Sequence, residues 1–177
     1  MNFIILLCLS TFALGDGSEY LVKAAFIHKF TLFIEFPGHA SIASQSGFNI
    51  CILGQNPFGD AFSPVEGKPV NGRPLMLRNL SLNASDTELK QCNVLFLVSG
   101  VADSRQQTVL KSLRYFPTLT IGEHEDFLQM GGIIRLYRKQ DRIVFSVNAV
   151  AAKRAGIQIR SQMLRVAEYV IHSESDR

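Results

Sequence analysis

The chain has 177 residues, 47% of them hydrophobic and 19% charged, which is the balance of a globular domain with a real core rather than a disordered chain. Eighteen basic residues against fifteen acidic give a net charge of +3, and the basic residues do not gather beyond Lys153-Arg154 and the group Arg135, Arg138 and Lys139. A nucleic-acid-binding stripe is therefore unsupported.

Met1 to Gly15 is almost wholly apolar and ends in Ala13-Leu14-Gly15, a small-x-small pattern of the kind that precedes a signal-peptidase cut. As a helix, Phe3–Leu14 would extend only about 18 Å, too short for a hydrocarbon layer about 30 Å thick. Residues 1–15 are thus expected to be a cleaved secretory signal, although they carry no Lys or Arg, and residues 16–177 to be a single domain in the periplasm. Cys8 lacks the small preceding residue of a lipoprotein cysteine, since Leu7 stands there.

Asp16-Gly17-Ser18 suits a helix start, with Glu19 in the first turn where the helix dipole favours an acid. The helix Tyr20–Phe36 is apolar nearly all round, and Lys23, Lys29 and Glu35 interrupt it, so it suits a largely buried helix rather than a membrane span. Pro37-Gly38 stops it, and the polar loop His39–Gly47 follows. His28 has no Cys, Asp or second His at metal spacing and reads as a packing residue.

Phe48–Gly54 is a short apolar run, the pattern of a strand covered on both faces in a parallel sheet, and Cys92–Ser99 has the same character. Between them the sequence predicts a short helix over Phe58–Val65, a turn at Asn71-Gly72, a strand over Pro74–Leu80 and a helical turn over Thr87–Gln91. Asn83-Ala84-Ser85 is a glycosylation sequon, relevant only in a eukaryotic secretory route. Asp103–Tyr115 follows as an amphipathic helix ended by Pro117, Thr118–Gly122 as a strand, and Glu123–Met130 as a short helix stopped by Gly131-Gly132. Ile133–Arg138 and Arg142–Val147 alternate as an antiparallel pair. Asn148 then stands as N-cap of Ala149–Ala155 with Gly156 at C′, and Arg160–His172 carries a core-facing stripe at helical spacing. The pattern as a whole is α/β, a mostly parallel sheet with helices and an antiparallel C-terminal hairpin.

Chemistry is sparse. The four histidines are scattered, and no H-E-x-x-H, G-x-S-x-G, C-x-x-C, dinucleotide or P-loop motif occurs, so neither an enzyme nor a cofactor or metal site is expected. His124 between Glu123 and Glu125 is a weak candidate base. Removal of the signal leaves Cys51 and Cys92, which an oxidising compartment would pair; alternatively both are buried small hydrophobes. Ligands of open α/β sheets favour the carboxyl ends of strands, which makes Gln55, Asn56 and Asp60, in the loop after Phe48–Gly54, the candidate ligand residues. A plain turn with Pro57 at the first helical position is the alternative.

Several separated stretches resemble the YfiR family of periplasmic proteins. They are Val22–Phe30 with Glu35-Phe36-Pro37, Cys51–Asp60, Gly67–Pro74, Gly131–Ile134, and the closing pattern Asn148-x-x-Ala151-x-x-x-Ala155-Gly156-Ile157-x-Ile159-x-Ser161-x-x-Leu164. The resemblance covers Tyr20 to Ile171, with Phe36 where relatives commonly carry Trp and without the second cysteine pair that some relatives have. It implies a Rossmann-like fold, a tendency to form homodimers and a non-enzymatic role. That role is repression of a membrane-bound diguanylate cyclase through its periplasmic sensory domain, lowering cyclic-di-GMP and limiting biofilm. A small-ligand-binding module without a cyclase partner is the second hypothesis.

Overall fold

The computed structural model describes residues 16–37, 46–173 and 176. The expected signal segment 1–15 and most of the loop 39–47 lie outside the described residues.

Helix α1 (Asp16–Phe33) leads into the two-residue strand β1 (Ile34–Glu35) and then β2 (Phe48–Leu53). The chain continues through β3 (Pro69–Val70), β4 (Arg73–Leu80), α2 (Asp86–Leu89), β5 (Val94–Leu97), α3 (Asp103–Ser112) and β6 (Leu119–Gly122). It closes with β7 (Ile134–Lys139), β8 (Arg142–Asn148), α4 (Ala149–Arg154), β9 (Gln158–Ile159), α5 (Ser161–Arg165) and β10 (Tyr169–Ile171). Eight strands form one sheet in the order β10-β8-β7-β6-β5-β2-β4-β3, and β1 pairs with β9 separately. Strands β4, β2, β5, β6 and β7 run parallel, and β8 turns back against β7. The mostly parallel sheet with its C-terminal hairpin is the α/β architecture that the buried runs predict.

Every residue of β2 and β5 is buried, because these strands sit in the middle of the sheet with cover on both faces. Each buried Phe, Ile, Leu or Val contributes about 1.5–3 kcal/mol relative to an exposed one. Aromatic rings tie the layers. Phe58 meets Tyr20, Phe62 and Phe96 at centroid distances of 5.3, 5.0 and 5.0 Å, and Phe30 of α1 meets Phe145 of β8 at 4.9 Å. Buried amides tie down the ends of strands. Asn93 accepts the Asn49 N–H at 2.8 Å, and Asn148 accepts from the Ala151 N–H at 2.8 Å while donating to the Leu128 carbonyl at 3.0 Å. The two hairpin turns need left-handed backbone, at Asn71-Gly72 (φ 50° and 76°) and at Gln140 (φ 54°).

Five local expectations are corrected. The helix predicted to Phe36 ends at Phe33, because Ile34–Glu35 pair with Ile159–Gln158. The strand predicted from Cys92 spans only Val94–Leu97. Phe58–Val65 and Glu123–Met130 are successive turns, held by bonds such as Ala61 N–H to Phe58 C=O (2.9 Å) and Phe127 N–H to His124 C=O (3.1 Å). Arg160–His172 is helical only over Ser161–Arg165, and Tyr169–Ile171 instead runs parallel to Ser146–Asn148. The open edge of β8 offered hydrogen bonds along a strand, which outweighed the helical spacing.

Candidate functional site

The parallel strands have one topological switch. From β2 the chain moves to β4 on one side and then crosses to β5 on the other, so the carboxyl ends of β2 and β5 diverge. Gly54 follows β2 with φ 106°, and a Cβ there would stand 3.4 Å from Val101 and 3.7 Å from both Leu82 and Val98. A glycine is what lets the chain turn away in so confined a place. Asn56 then accepts the Phe58 N–H on its side-chain oxygen at 2.9 Å, closing a tight turn around Pro57.

The result is a cleft of about 450 Å³ lined by Gly54, Gln55, Asn56, Pro57, Leu82, Val98, Gly100 and Val101. No titratable side chain lines it, so binding there would rest on the two amides, the backbone and apolar contact rather than on charge. Of the three candidate ligand residues, Gln55 and Asn56 lie on the lining, whereas Asp60 is exposed on the following turn and outside it.

A buried charge cluster stands beside this cleft. Glu123, the first residue after β6, accepts the Ser99 N–H at 3.0 Å and the Tyr20 hydroxyl at 3.4 Å, and it is paired with Lys23. Lys23 is only 3% exposed and also meets Glu19, one helical turn earlier on α1. One carboxylate therefore joins α1 to the loops after β5 and β6. Burial, and next the Glu123 charge, push the Tyr20 phenol far above its ordinary range, so it remains a proton donor. Its ring edge also packs on Phe58, at the far end of the cleft loop. Two of the three loops that line the cleft, those after β2 and β5, are thus tied to α1 through Tyr20 and Glu123.

The sequence missed this cluster. Lys23 reads as a charge that interrupts an apolar helix, and only the Glu19–Lys23 spacing hinted at a pair. His124, the weak candidate base, meets Asp103 at 3.2 Å through Nε2 and accepts the Asp126 N–H on Nδ1 at 3.1 Å. That is a loop-bracing arrangement at the mouth of α3. His28 is held below its usual range by burial and then by Lys29 and Lys68. No group of three or more His, Cys, Asp or Glu that could hold a metal occurs among the described residues.

Cys51 and Cys92 form a disulfide with Cα atoms 5.8 Å apart. It links the middle of β2 to the segment between α2 and β5, two residues before β5 begins, and both residues are buried. No helix among the described residues is long and apolar enough to cross a membrane.

Two solved structures share the fold. One is a conserved domain protein from Vibrio cholerae O1 biovar El Tor, with TM-score 0.57 and 11% identity over 85% of this chain. The other is the ABC domain in complex with L-Trp from Streptococcus pneumoniae, with TM-score 0.54 and 13% identity over 86% of this chain. This chain spans 60% of the length of each. At such identities the likeness is one of fold alone. The sequence itself matches a family model described as YfiR/HmsC-like over residues 20–168, nearly all of the folded chain, and the protein therefore belongs to the YfiR/HmsC-like family.

Proposed function

We propose that this protein is a periplasmic regulator that binds the periplasmic sensory domain of a membrane-bound diguanylate cyclase and represses it. The observation that carries this reading is the family match over residues 20–168, since the family is a regulatory one of the periplasm tied to diguanylate cyclase signalling. Residues 1–15 would be the secretory signal and 16–177 the mature single domain, acting as a homodimer without catalytic activity of its own. Repression would follow from preferential binding to the inactive sensor, which shifts its population.

Exposed apolar residues supply a place for such contact. Leu21 is 55% exposed, and Val22, Leu32 and Phe33 are exposed with it on the outer side of α1, the helix whose inner side is clamped by Lys23 and Glu123. The direct experiment is a pull-down of the tagged, secreted, oxidised protein from detergent-solubilised native envelope, with retained proteins identified by mass. Recovery of a membrane protein with a cyclase domain, and a rise of cyclic-di-GMP on deletion of the gene, are the expected results. Unchanged cyclic-di-GMP and an empty pull-down would sink the reading.

A second reading, a small-ligand-binding module, is favoured by the 450 Å³ cleft at the switch point with the amides of Gln55 and Asn56 on its wall. Its uncharged lining suits neutral or zwitterionic ligands with an apolar body. L-Trp, the molecule carried by one of the similarly folded proteins, is a reasonable first probe. A saturable thermal shift that Asn56→Ala abolishes would support this reading; a panel that shifts neither wild type nor variant would oppose it.

A further inference from the structure

We infer that two copies of this chain join at the open edge of β4, by antiparallel pairing of that strand with itself. β4 is the last long strand on its side of the sheet, and β3 with the residues before it covers only Arg73–Leu75. Leu75 turns its C=O and N–H outward, to Gly67 and Lys68 at 2.8 and 2.9 Å. Leu80 turns its C=O inward, to the Gly54 N–H at 3.1 Å. Backbone groups alternate along a strand, so Leu77 and Asn79 also point outward, where no described residue bonds their backbone. The opposite edge is blunted. β10 has three residues, and just beyond it the Asp176 carboxylate accepts the His172 and Ser173 N–H groups at 2.8 Å each.

A free strand edge is a template for another strand, and an identical copy brings the same donors and acceptors in reverse order. The two-fold register follows by elimination. Centred on Leu77, Asn79 would meet Leu75 of the second copy, whose groups are already taken. Centred on Arg78, two like charges would stand directly opposite each other. Centred on Asn79, that residue exchanges N–H and C=O with its own symmetry mate, and the Ser81 N–H of the second copy reaches the Leu77 C=O. Exposed Met76 then comes level with exposed Leu82 of the second copy. Charge agrees with this arrangement. Gly67–Leu80 carries Lys68, Arg73 and Arg78 and no acid, whereas Ser81–Leu89 carries Asp86 and Glu88 and no cation. Antiparallel pairing brings the basic end of each copy to the acidic end of its mate. The inference rests on the homodimer proposed above and not on the cyclase partner.

The test is sedimentation velocity of the mature, oxidised chain across a concentration series, with wild type expected as a reversible dimer. Asn79→Pro removes only an outward N–H and keeps the bonds of Arg78 and Leu80 to β2. It should stay folded by far-UV circular dichroism and dimerise roughly tenfold or more weaker, having lost one hydrogen bond from each copy. Cysteine crosslinking reads the register. Asn79→Cys should give a covalent dimer with oxidised glutathione, since its Cα would lie about 5.5 Å from its mate, within disulfide reach. Leu77→Cys should not, being about 13 Å from its own mate along the strand. A wild type that is monomeric at every concentration would overturn the homodimer and this interface together. A dimer undiminished in Asn79→Pro, or crosslinked equally through either cysteine, would overturn the interface alone. Should Asn79→Pro stay dimeric but lose the membrane protein retained from the envelope, the edge would belong to that partner instead. If Asn79→Pro fails to fold, the two cysteine variants decide by themselves.

Discussion

Glu123 offers the sharpest test of how α1 is held. Its side chain is 8% exposed and satisfies Lys23, the Tyr20 hydroxyl and the Ser99 N–H together. Glu123→Gln keeps the shape and one acceptor oxygen but removes the charge, leaving Lys23, 3% exposed, with Glu19 alone. Removing one partner of a buried pair costs about 3–5 kcal/mol, and the remaining Glu19 places this case near the lower end, about 3 kcal/mol. With a urea m-value of about 2–3 kcal/mol/M for a chain of this size, the unfolding midpoint should fall by about 1 M or more. Far-UV circular dichroism is the suitable probe, since the chain has no Trp. Adding Lys23→Met removes the stranded charge as well, and the double variant should recover at least half of the loss. If the double variant is as unstable as the sum of the two singles, the Lys23–Glu123 pair is not the coupled clamp described here.

Three further outcomes are expected. The Cys51–Cys92 disulfide closes a loop of 41 residues in sequence separation. In the chain-entropy treatment such a loop stabilises by about 4 kcal/mol, so Cys51→Ala should lower the melting temperature by roughly 8–16 °C. Cys92→Ala should do the same and the double variant little more; additive losses would mean that the thiols are not bonded to each other. The Phe127 ring lies in a slot between two glycines, where a Cβ on Gly122 would come within 2.3 Å of it and one on Gly132 within 2.2 Å. Gly122→Ala should therefore cost about 1–3 kcal/mol in denaturant unfolding, and Phe127→Leu in the same chain should cost less than its own single-variant loss. His28 has a folded-state pKa depressed below 6.5, so its stabilising contribution is complete above that value and is lost as pH falls through the folded pKa. The melting temperature of His28→Gln should fall less than that of wild type on acidification below pH about 6.5, the unperturbed histidine value; identical slopes would remove His28 from the acid response.

Local pattern carried much of this fold. The runs Phe48–Leu53 and Val94–Leu97 announce buried parallel strands because strands covered on both faces have no polar side to show. The Asn148 cap and the Asn71-Gly72 hairpin were equally legible, since cap and turn chemistry depend on a few adjacent residues. Other elements were decided by distant partners. Tyr169–Ile171 sits in a stretch of helical spacing and became a strand only because β8 offered an open edge, and Ile34–Glu35 left the helix for Gln158–Ile159. The loop after β2 was a candidate ligand position from topology rules, yet only the folded chain forms a cleft there, bringing Leu82, Val98, Gly100 and Val101 across from Gln55 and Asn56 and leaving Asp60 outside.

By itself, then, the sequence determined the α/β class, the two cysteines open to pairing and the family, because periodicity, turn chemistry and ordered motifs are written along the chain. Tertiary structure alone decided the strand order that creates the switch point and the burial of Lys23 against Glu123, 100 residues away in sequence. Each of these depends on free energies between groups far apart in sequence, such as desolvation, edge pairing and charge proximity, which no local window contains.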